Sequence, residues 1–478
     1  MKILYIASEA RPFVATGGLA DVAGSLPPAL CRAGVDCRVV LPLYQQVGEG
    51  FRRKMRRIAE FQVPLAWRSQ YCGVYECQLD GVTYYLLDNE YYFKRDSVYG
   101  DFDDGERFAF FSKAALEMLC HIDFTPDILH CNDWQSAMVI LNRKLFYQGV
   151  EKLREVKTVF TIHNIQYQGQ YGMGFAGDVL GVPRECQVLL EYDGCVNLMK
   201  SAIEQCDALT TVSPTYAHEI QDPWYAHGLD PLIRENNYKL TGILNGIDNR
   251  AYDPSADPDI PVHYGAEDAI AGKRACKEAL QREMGLTVDP DRMLVGMVTR
   301  LVAHKGLDLV KRVLGDLVNQ GVSVAILGSG DEEYQRFFGK MQQRYPGRVA
   351  FYCGFVPALS RRIYAGADVF LMPSQSEPCG LAQMQCLRYG TLPIVRETGG
   401  LKDSITDLGG GWGNGYTFQS YNAHHMMDAV LRAQRDYRDK KKWEELVQRA
   451  MKEDFSWDRS AKEYLRLYER LLERNLKG

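Results

Sequence analysis

The chain of 478 residues contains no apolar run long enough to cross a bilayer. A helical membrane anchor is therefore not expected. Lys2 is followed by only a few apolar residues before Glu9 and Arg11, too few for the core of a secretory leader. A strand pattern starts almost at Met1, which leaves no transit peptide on this chain, and the expected compartment is the cytoplasm. None of the 13 cysteines belongs to a C-x-x-C pair. Their number is odd, and they are scattered through apolar stretches such as Tyr71-Cys72 and Val349-Ala350-Phe351-Tyr352-Cys353. That pattern reads as reduced, buried thiol rather than a disulfide frame or a zinc site. Net charge is also small, −5 from 56 Lys plus Arg against 61 Asp plus Glu. Near balance argues against nucleic acid as the main partner. The basic runs at 52–57 and 440–442 read as solvated faces. No low-complexity segment and no repeat in residue identity is evident.

What the chain does have is length, more than one hydrophobic core usually serves, so two large domains are expected. Lys2-Ile3-Leu4-Tyr5-Ile6-Ala7 reads as a short buried strand. A loop from Ser8 to Thr16 leads to Gly17-Gly18, after which Leu19, Val22, Leu26 and Leu30 recur at helical spacing. Gly34 ends that helix and 35–42 reads as a second strand. The β-α-β unit puts a glycine pair at a helix start, where backbone amides can hold an anion. Residues 58–90 alternate apolar and polar and predict antiparallel hairpins; 107–120 predicts a helix. Three further strands, at 127–134, 158–164 and 208–214, run into polar turns. They deliver Asp133, His163 and Ser213 to one sheet edge.

Residues 240–248 look like a domain boundary, and 253–265, rich in Asp and Pro, reads as a linker. A second α/β domain follows, with strands at 293–298, 322–327, 349–355, 367–372 and 392–395 and helices between them, such as 307–318. Polar or glycine loops follow its strands: Arg300 to Lys305, Gly328-Ser329-Gly330-Asp331, Glu377 to Gly380, and Thr398-Gly399-Gly400. The loop Pro373-Ser374-Gln375-Ser376-Glu377-Pro378-Cys379-Gly380-Leu381 holds a carboxylate between a buried strand and a helix. Pro378 restricts Glu377 to extended conformations, and ligands of open α/β sheets bind at that edge. Residues 457–476 predict an amphipathic helix. Two Rossmann-like domains with facing sheet edges predict a deep cleft between them. Arg300 and Lys305 with two glycine-rich loops suit a diphosphate. The neutral and acidic groups of the first domain suit a polyhydroxylated substrate. The residues alone point to a nucleotide-sugar transferase.

The stretch Phe13-Val14-Ala15-Thr16-Gly17-Gly18-Leu19-Ala20-Asp21-Val22 resembles the K-T-G-G-L-x-D-V signature of bacterial glycogen synthases and plant starch synthases. Phe160-Thr161-Ile162-His163-Asn164, Val212-Ser213-Pro214, Asn245-Gly246-Ile247-Asp248 and Thr299-Arg300-Leu301 are similar to further motifs of that family. So are Lys305-Gly306-Leu307-Asp308-Leu309, Glu377-Pro378-Cys379-Gly380-Leu381 and Thr398-Gly399-Gly400-Leu401. The resemblance covers nearly the whole chain, in order. It implies an α/β protein of GT-B fold. The first domain would span 1–245, completed by a returning helix at 457–478, and take the acceptor; the second would span 246–456 and take the nucleotide sugar. Hinges would lie near 245–253 and 455–457. The implied activity is retaining transfer of glucose from ADP-glucose to the non-reducing end of an α-1,4-glucan, glycogen or a malto-oligosaccharide. No metal, cofactor, nucleic acid or membrane is implied.

Carried over residue by residue, the resemblance assigns the diphosphate to Arg300 and Lys305. Gly18 and Asp21 would lie near the donor, and His163 and Asn245 around the glucosyl ring. Glu377, Cys379, Gly380 and Leu381 would form the loop at the sugar, and Thr398, Gly399 and Gly400 the loop covering phosphate and sugar. Asp133 matches an acid implicated in activity, and Tyr92 is aligned with a tyrosine of the cleft. One position departs from the pattern: Ala15 stands where the signature has lysine, so a cation is missing. Negative charge would grow on the leaving ADP and positive charge at C1. The resemblance favours same-face attack, with no protein nucleophile and with Glu377 at the ring. A glucan phosphorylase dependent on pyridoxal phosphate and a non-enzymatic glucan-binding scaffold are the competing readings.

Overall fold

The computed structural model describes residues 1–473. The chain forms two compact units, one of Met1–Gly246 with the segment from Trp457 on, the other of Ile247–Ser456.

The first unit is built on a nine-stranded sheet. The apolar run Lys2–Ile6 forms a strand whose residues from Ile3 on are buried. It pairs in parallel with Asp36–Pro42 on one side and Ile128–Asn132 on the other. Beyond Ile128–Asn132 lie Lys157–Ile162, Ala208–Thr211 and Leu240–Gly242, all parallel. The sheet order therefore reverses at Lys2–Ile6, which makes a switch point between it and Ile128–Asn132. The hairpins predicted over 58–90 are the strands Arg56–Leu65, Arg68–Leu79 and Val82–Asp88, paired antiparallel. They do not stand apart, because Val82–Asp88 also pairs in parallel with Asp36–Pro42 and extends the main sheet.

The helix predicted at 107–120 runs from Asp104 to His121. Among the described residues the terminal helix is Trp457–Glu473, burying Trp457, Ala461, Tyr464, Leu467, Tyr468 and Leu471. It packs on the helix Gly18–Arg32, and the Tyr468 hydroxyl meets His130 Nδ1 at 2.7 Å. Residues 474–476 of the predicted helix lie outside the described residues.

The second unit has a six-stranded parallel sheet in the order Val349–Cys353, Ser323–Gly328, Leu294–Val298, Val369–Met372, Leu392–Arg396, Tyr416–Phe418. Leu294–Val298 comes first in the chain yet lies inside the sheet. A second switch point therefore falls between its end and that of Val369–Met372. The segment 253–265, expected as a linker, carries no helix or strand but is not loose. Asp257 is buried and accepts hydrogen bonds from Arg361 Nη1 at 3.2 Å and from the Tyr389 hydroxyl. Those contacts tie the segment into the second unit.

Candidate active site

The loops leaving the two strands at the second unit's switch point converge on one pocket of about 180 Å³. Arg300 and Lys305 come from the loop after Leu294–Val298, and Ser374, Glu377, Gly380 and Leu381 from the loop after Val369–Met372; all line it. Gly306 lets the two loops touch. It has a φ of +74°, and a Cβ there would sit 1.9 Å from the Pro373 carbonyl oxygen. The Gln375 amide donates to the His304 carbonyl at 2.8 Å, and Arg396 Nη1 donates to the Gln375 carbonyl at 2.7 Å. The acid loop is thus pinned on both sides.

Glu377 is buried. Its Oε2 accepts from Lys305 Nζ at 2.6 Å and from Ser374 Oγ at 3.0 Å. Burial alone would push the carboxyl's pKa up. The Lys305 ammonium, the two hydrogen bonds and His304 outweigh it and hold the group below its ordinary range. Glu377 is therefore ionised at neutral pH, and Lys305 is its counter-ion. Arg300 is exposed and makes no ion pair among the described residues.

In the two glycine loops expected to cradle phosphate, close packing against carbonyls accounts for the glycines. A Cβ on Gly399 would sit 1.9 Å from the Glu377 carbonyl oxygen, and one on Gly400 2.2 Å from that of Cys379. The Gly400 amide donates to the Glu377 carbonyl at 3.2 Å. These glycines let the helix Gly399–Ser404 start hard against the acid loop, with buried Thr398 at its cap. Gly328 and Gly330 likewise admit the Thr299 and Leu301 carbonyls, at 2.1 and 2.4 Å from the missing Cβ atoms. Cys379 is buried. Gly380 has a φ of +68°, and Leu381 caps the helix Ala382–Arg388.

In the first unit, Asp133 follows the strand Ile128–Asn132 with a φ of +53°. This left-handed backbone is costly for a residue with a Cβ. It turns the carboxylate so that Oδ1 accepts the His163 amide at 2.7 Å. Burial pushes its pKa up to about 7, against the pull of the His163 and Asn164 amides. The His163 ring is pushed down to about 3 by burial, so it is neutral. Its Nε2 lies 2.9 Å from Asn132 Oδ1, whose amide nitrogen donates to the Ile6 carbonyl at 3.0 Å. Nε2 is therefore the protonated nitrogen and Nδ1 the acceptor. Ser213, grouped with these from the sequence, accepts the Tyr216 amide at 3.1 Å as a helix cap.

Gly18 opens the helix Gly18–Arg32. Unlike Gly399, it has nothing within 4 Å of its would-be Cβ, so packing in this chain does not require glycine there. Asp21 pairs with Arg11 Nε at 2.5 Å, and Ala15 is exposed. Asn245 is buried, and its Oδ1 has no hydrogen-bond partner among the described residues. Tyr92 points elsewhere, its hydroxyl donating to Glu106 at 2.6 Å.

Two neighbours were missed in the sequence. Glu9 is buried and accepts from the Thr16 amide and hydroxyl at 2.5 and 2.9 Å. The Tyr99 hydroxyl meets Ser8 Oγ at 2.7 Å. Both surround the loop after the first strand, and only their position beside the Gly17-Gly18 loop could have flagged them. Among the described residues no cluster of His, Cys, Asp and Glu is arranged to hold a metal ion. No cysteine is in a disulfide, and among the described residues no helix is long and apolar enough to cross a membrane.

Both units are α/β, the first on a mixed sheet and the second on a parallel one, and the family match and solved neighbour that follow make the chain a glycosyltransferase of the GT-B class. Residues 2–235 match the starch synthase catalytic domain, and 284–451 match the glycosyl transferases group 1 family. A glycogen synthase of Geobacillus thermodenitrificans is 48% identical over 99% of this chain and 98% of its own length. One from Bacillus anthracis is 49% identical over 99% and 100%. The catalytic domain of starch synthase IV from Arabidopsis thaliana, solved with ADP and acarbose, superposes with a TM-score of 0.91 at 34% identity, covering 98% of this chain and 99% of that one. Sucrose-phosphate synthase from Thermosynechococcus elongatus, at 16% identity and a TM-score of 0.62, shares the fold. The chain belongs to the glycogen and starch synthase family.

Proposed function

We propose that this enzyme transfers glucose from ADP-glucose to the non-reducing end of an α-1,4-glucan with retention of configuration, without a metal and without a covalent enzyme intermediate. The second unit takes the nucleotide sugar and the first the glucan. The observation that carries the reading is the buried Lys305–Glu377 pair beside unpaired Arg300 in one pocket. Arg300 and Lys305 meet the diphosphate, where negative charge grows as the bond breaks; a preorganised donor of this kind is worth about 10²–10³ in rate. Glu377, ionised and fixed, faces the sugar, where positive charge grows at C1. Its own loop holds one oxygen, which suits an electrostatic and positioning role better than that of a free nucleophile. Gly380, Leu381 and Thr398 to Gly400 shape the loops around it. Gly18, through its backbone amide, and Asp21 lie near the donor, His163 and Asn245 around the glucosyl ring, and Asp133 contributes to activity. The ADP carried by the starch synthase IV structure supports adenine as the base of the donor nucleotide.

The test is a screen of ADP-, UDP- and GDP-glucose on a glycogen primer, with the anomer of the new bond read by NMR. Transfer from ADP-glucose into α-1,4 linkages is expected. A β-linked product, or a clear preference for another nucleotide, would overturn the assignment.

A further inference from the structure

Lys305 Nζ and Ser374 Oγ both hydrogen-bond to the same atom, Glu377 Oε2, at 2.6 and 3.0 Å. Oε1 receives no hydrogen bond from the described residues, and Glu377 lines the pocket. The carboxylate's two oxygens are therefore not equivalent: one is locked by the protein and the other is left open. Ser374 is 1% exposed, so its hydroxyl serves neither solvent nor a helix cap. Its backbone is fixed by its neighbours, since the Pro373 carbonyl packs against Gly306 and Gln375 is hydrogen-bonded at both its amide and its carbonyl.

We propose that Ser374 is a positioning residue, which with Lys305 immobilises Oε2 so that Oε1 alone accepts hydroxyls of the bound sugar. The proposal rests on the placing of Glu377 at the sugar. Lys305 by itself is a weaker anchor, because its ammonium sits on a flexible stem and is shared with the diphosphate. Ser374 is short, neutral and on the same loop as Glu377. It holds the carboxylate in one rotamer whatever Lys305 does. A hydrogen bond to a charged group is among the stronger ones a protein makes, and the benefit falls where orientation matters most, in the transition state.

The experiment is steady-state kinetics and ADP titration calorimetry on Ser374→Ala, Ser374→Thr and Glu377→Ala, each with a melting curve. Ser374→Ala removes one buried hydroxyl, leaves room and should fold. Its turnover is expected to fall about tenfold or more, with ADP affinity within about twofold of the parent, since the hydroxyl meets no phosphate. Ser374→Thr keeps the hydroxyl and should recover most of the turnover. Parental turnover in Ser374→Ala beside a slow Glu377→Ala would overturn the role of Ser374 alone. Parental turnover in Glu377→Ala as well would overturn the reading of Glu377 on which it rests. A loss of ADP affinity as large as the loss of turnover would make Ser374 a donor-binding or merely structural residue and refute the inference.

Discussion

Changing Lys305 to alanine should do more than remove a cation from the donor. The Lys305 and Glu377 side chains are only 17% and 10% exposed, so the change leaves a carboxylate buried with Ser374 as its one hydrogen-bond donor. Breaking a buried pair from one side costs about 3–5 kcal/mol. We expect the lower end, about 3 kcal/mol, because the remaining hydroxyl still serves the carboxylate. For a unit the size of 247–456, 1 kcal/mol moves Tm by about 2–4 °C, so Tm should fall by about 6–12 °C. The double variant Lys305→Ala/Glu377→Gln, with neither charge, should recover most of that loss.

The sign with pH separates this from ordinary loss of packing. In the parent, Glu377 is held below its ordinary range. Its stabilising contribution is present above about pH 4.3 and is lost as pH falls through the depressed value. In Lys305→Ala burial is left without the ammonium, so the pKa rises, and stability is lost as pH rises past about 4.3. The deficit of the single variant should therefore shrink between pH 7.5 and 5. The assay is differential scanning calorimetry of parent, single and double variants at both pH values. If single and double variants melt together, or the deficit is the same at both pH values, Glu377 is not a stranded charge and the electrostatic account of the pocket fails.

Two glycines should behave in opposite ways. Gly18→Ala should leave Tm within about 1 °C of the parent or slightly above it, since helix glycines cost roughly 0.5–1 kcal/mol relative to alanine, while the donor KM rises. Gly399→Ala, whose Cβ would overlap the Glu377 carbonyl, should lower Tm and turnover together; comparing melting curves and kinetics of the pair checks this. Asp133, whose pKa burial raises to about 7, costs stability as pH rises from about 4 to 7, because the unfolded carboxyl ionises first. Asp133→Asn should flatten that part of the Tm-against-pH curve while lowering activity; a curve that keeps the parent's slope would remove Asp133 as its cause.

How far the sequence could be read depended on which contacts were local. Strand runs such as Ile3 to Ile6 and Val369 to Met372 are apolar and continuous because both faces are buried, so their loops, and Arg300, Lys305 and Glu377 with them, were visible in the sequence. The Lys305–Glu377 pair was not, since it joins residues 72 apart whose side chains meet only after the two strands become neighbours. Gly328, Gly330, Gly399 and Gly400 were read as ligand amides. Composition cannot distinguish a glycine kept for a ligand from one kept for a passing carbonyl. Asp257 looked like part of a linker because its partners, Arg361 and Tyr389, lie more than a hundred residues away. Asp133 was noticed for its place at a strand end, but neither its strained backbone nor its raised pKa follows from residue type.

The terminal helix has a consequence for how the chain is made. Trp457–Glu473 buries its apolar face in the first unit, with Tyr468 bonded to His130. The second unit, by contrast, is one continuous segment, Ile247–Ser456. On a ribosome adding about 5–20 residues per second, the nascent first unit waits on the order of 10–40 s for its last helix, with the seat for Tyr468 uncovered. The later-made unit needs nothing beyond itself. Order of synthesis and order of completion are therefore inverted, and the first unit is the one left incomplete longest during translation.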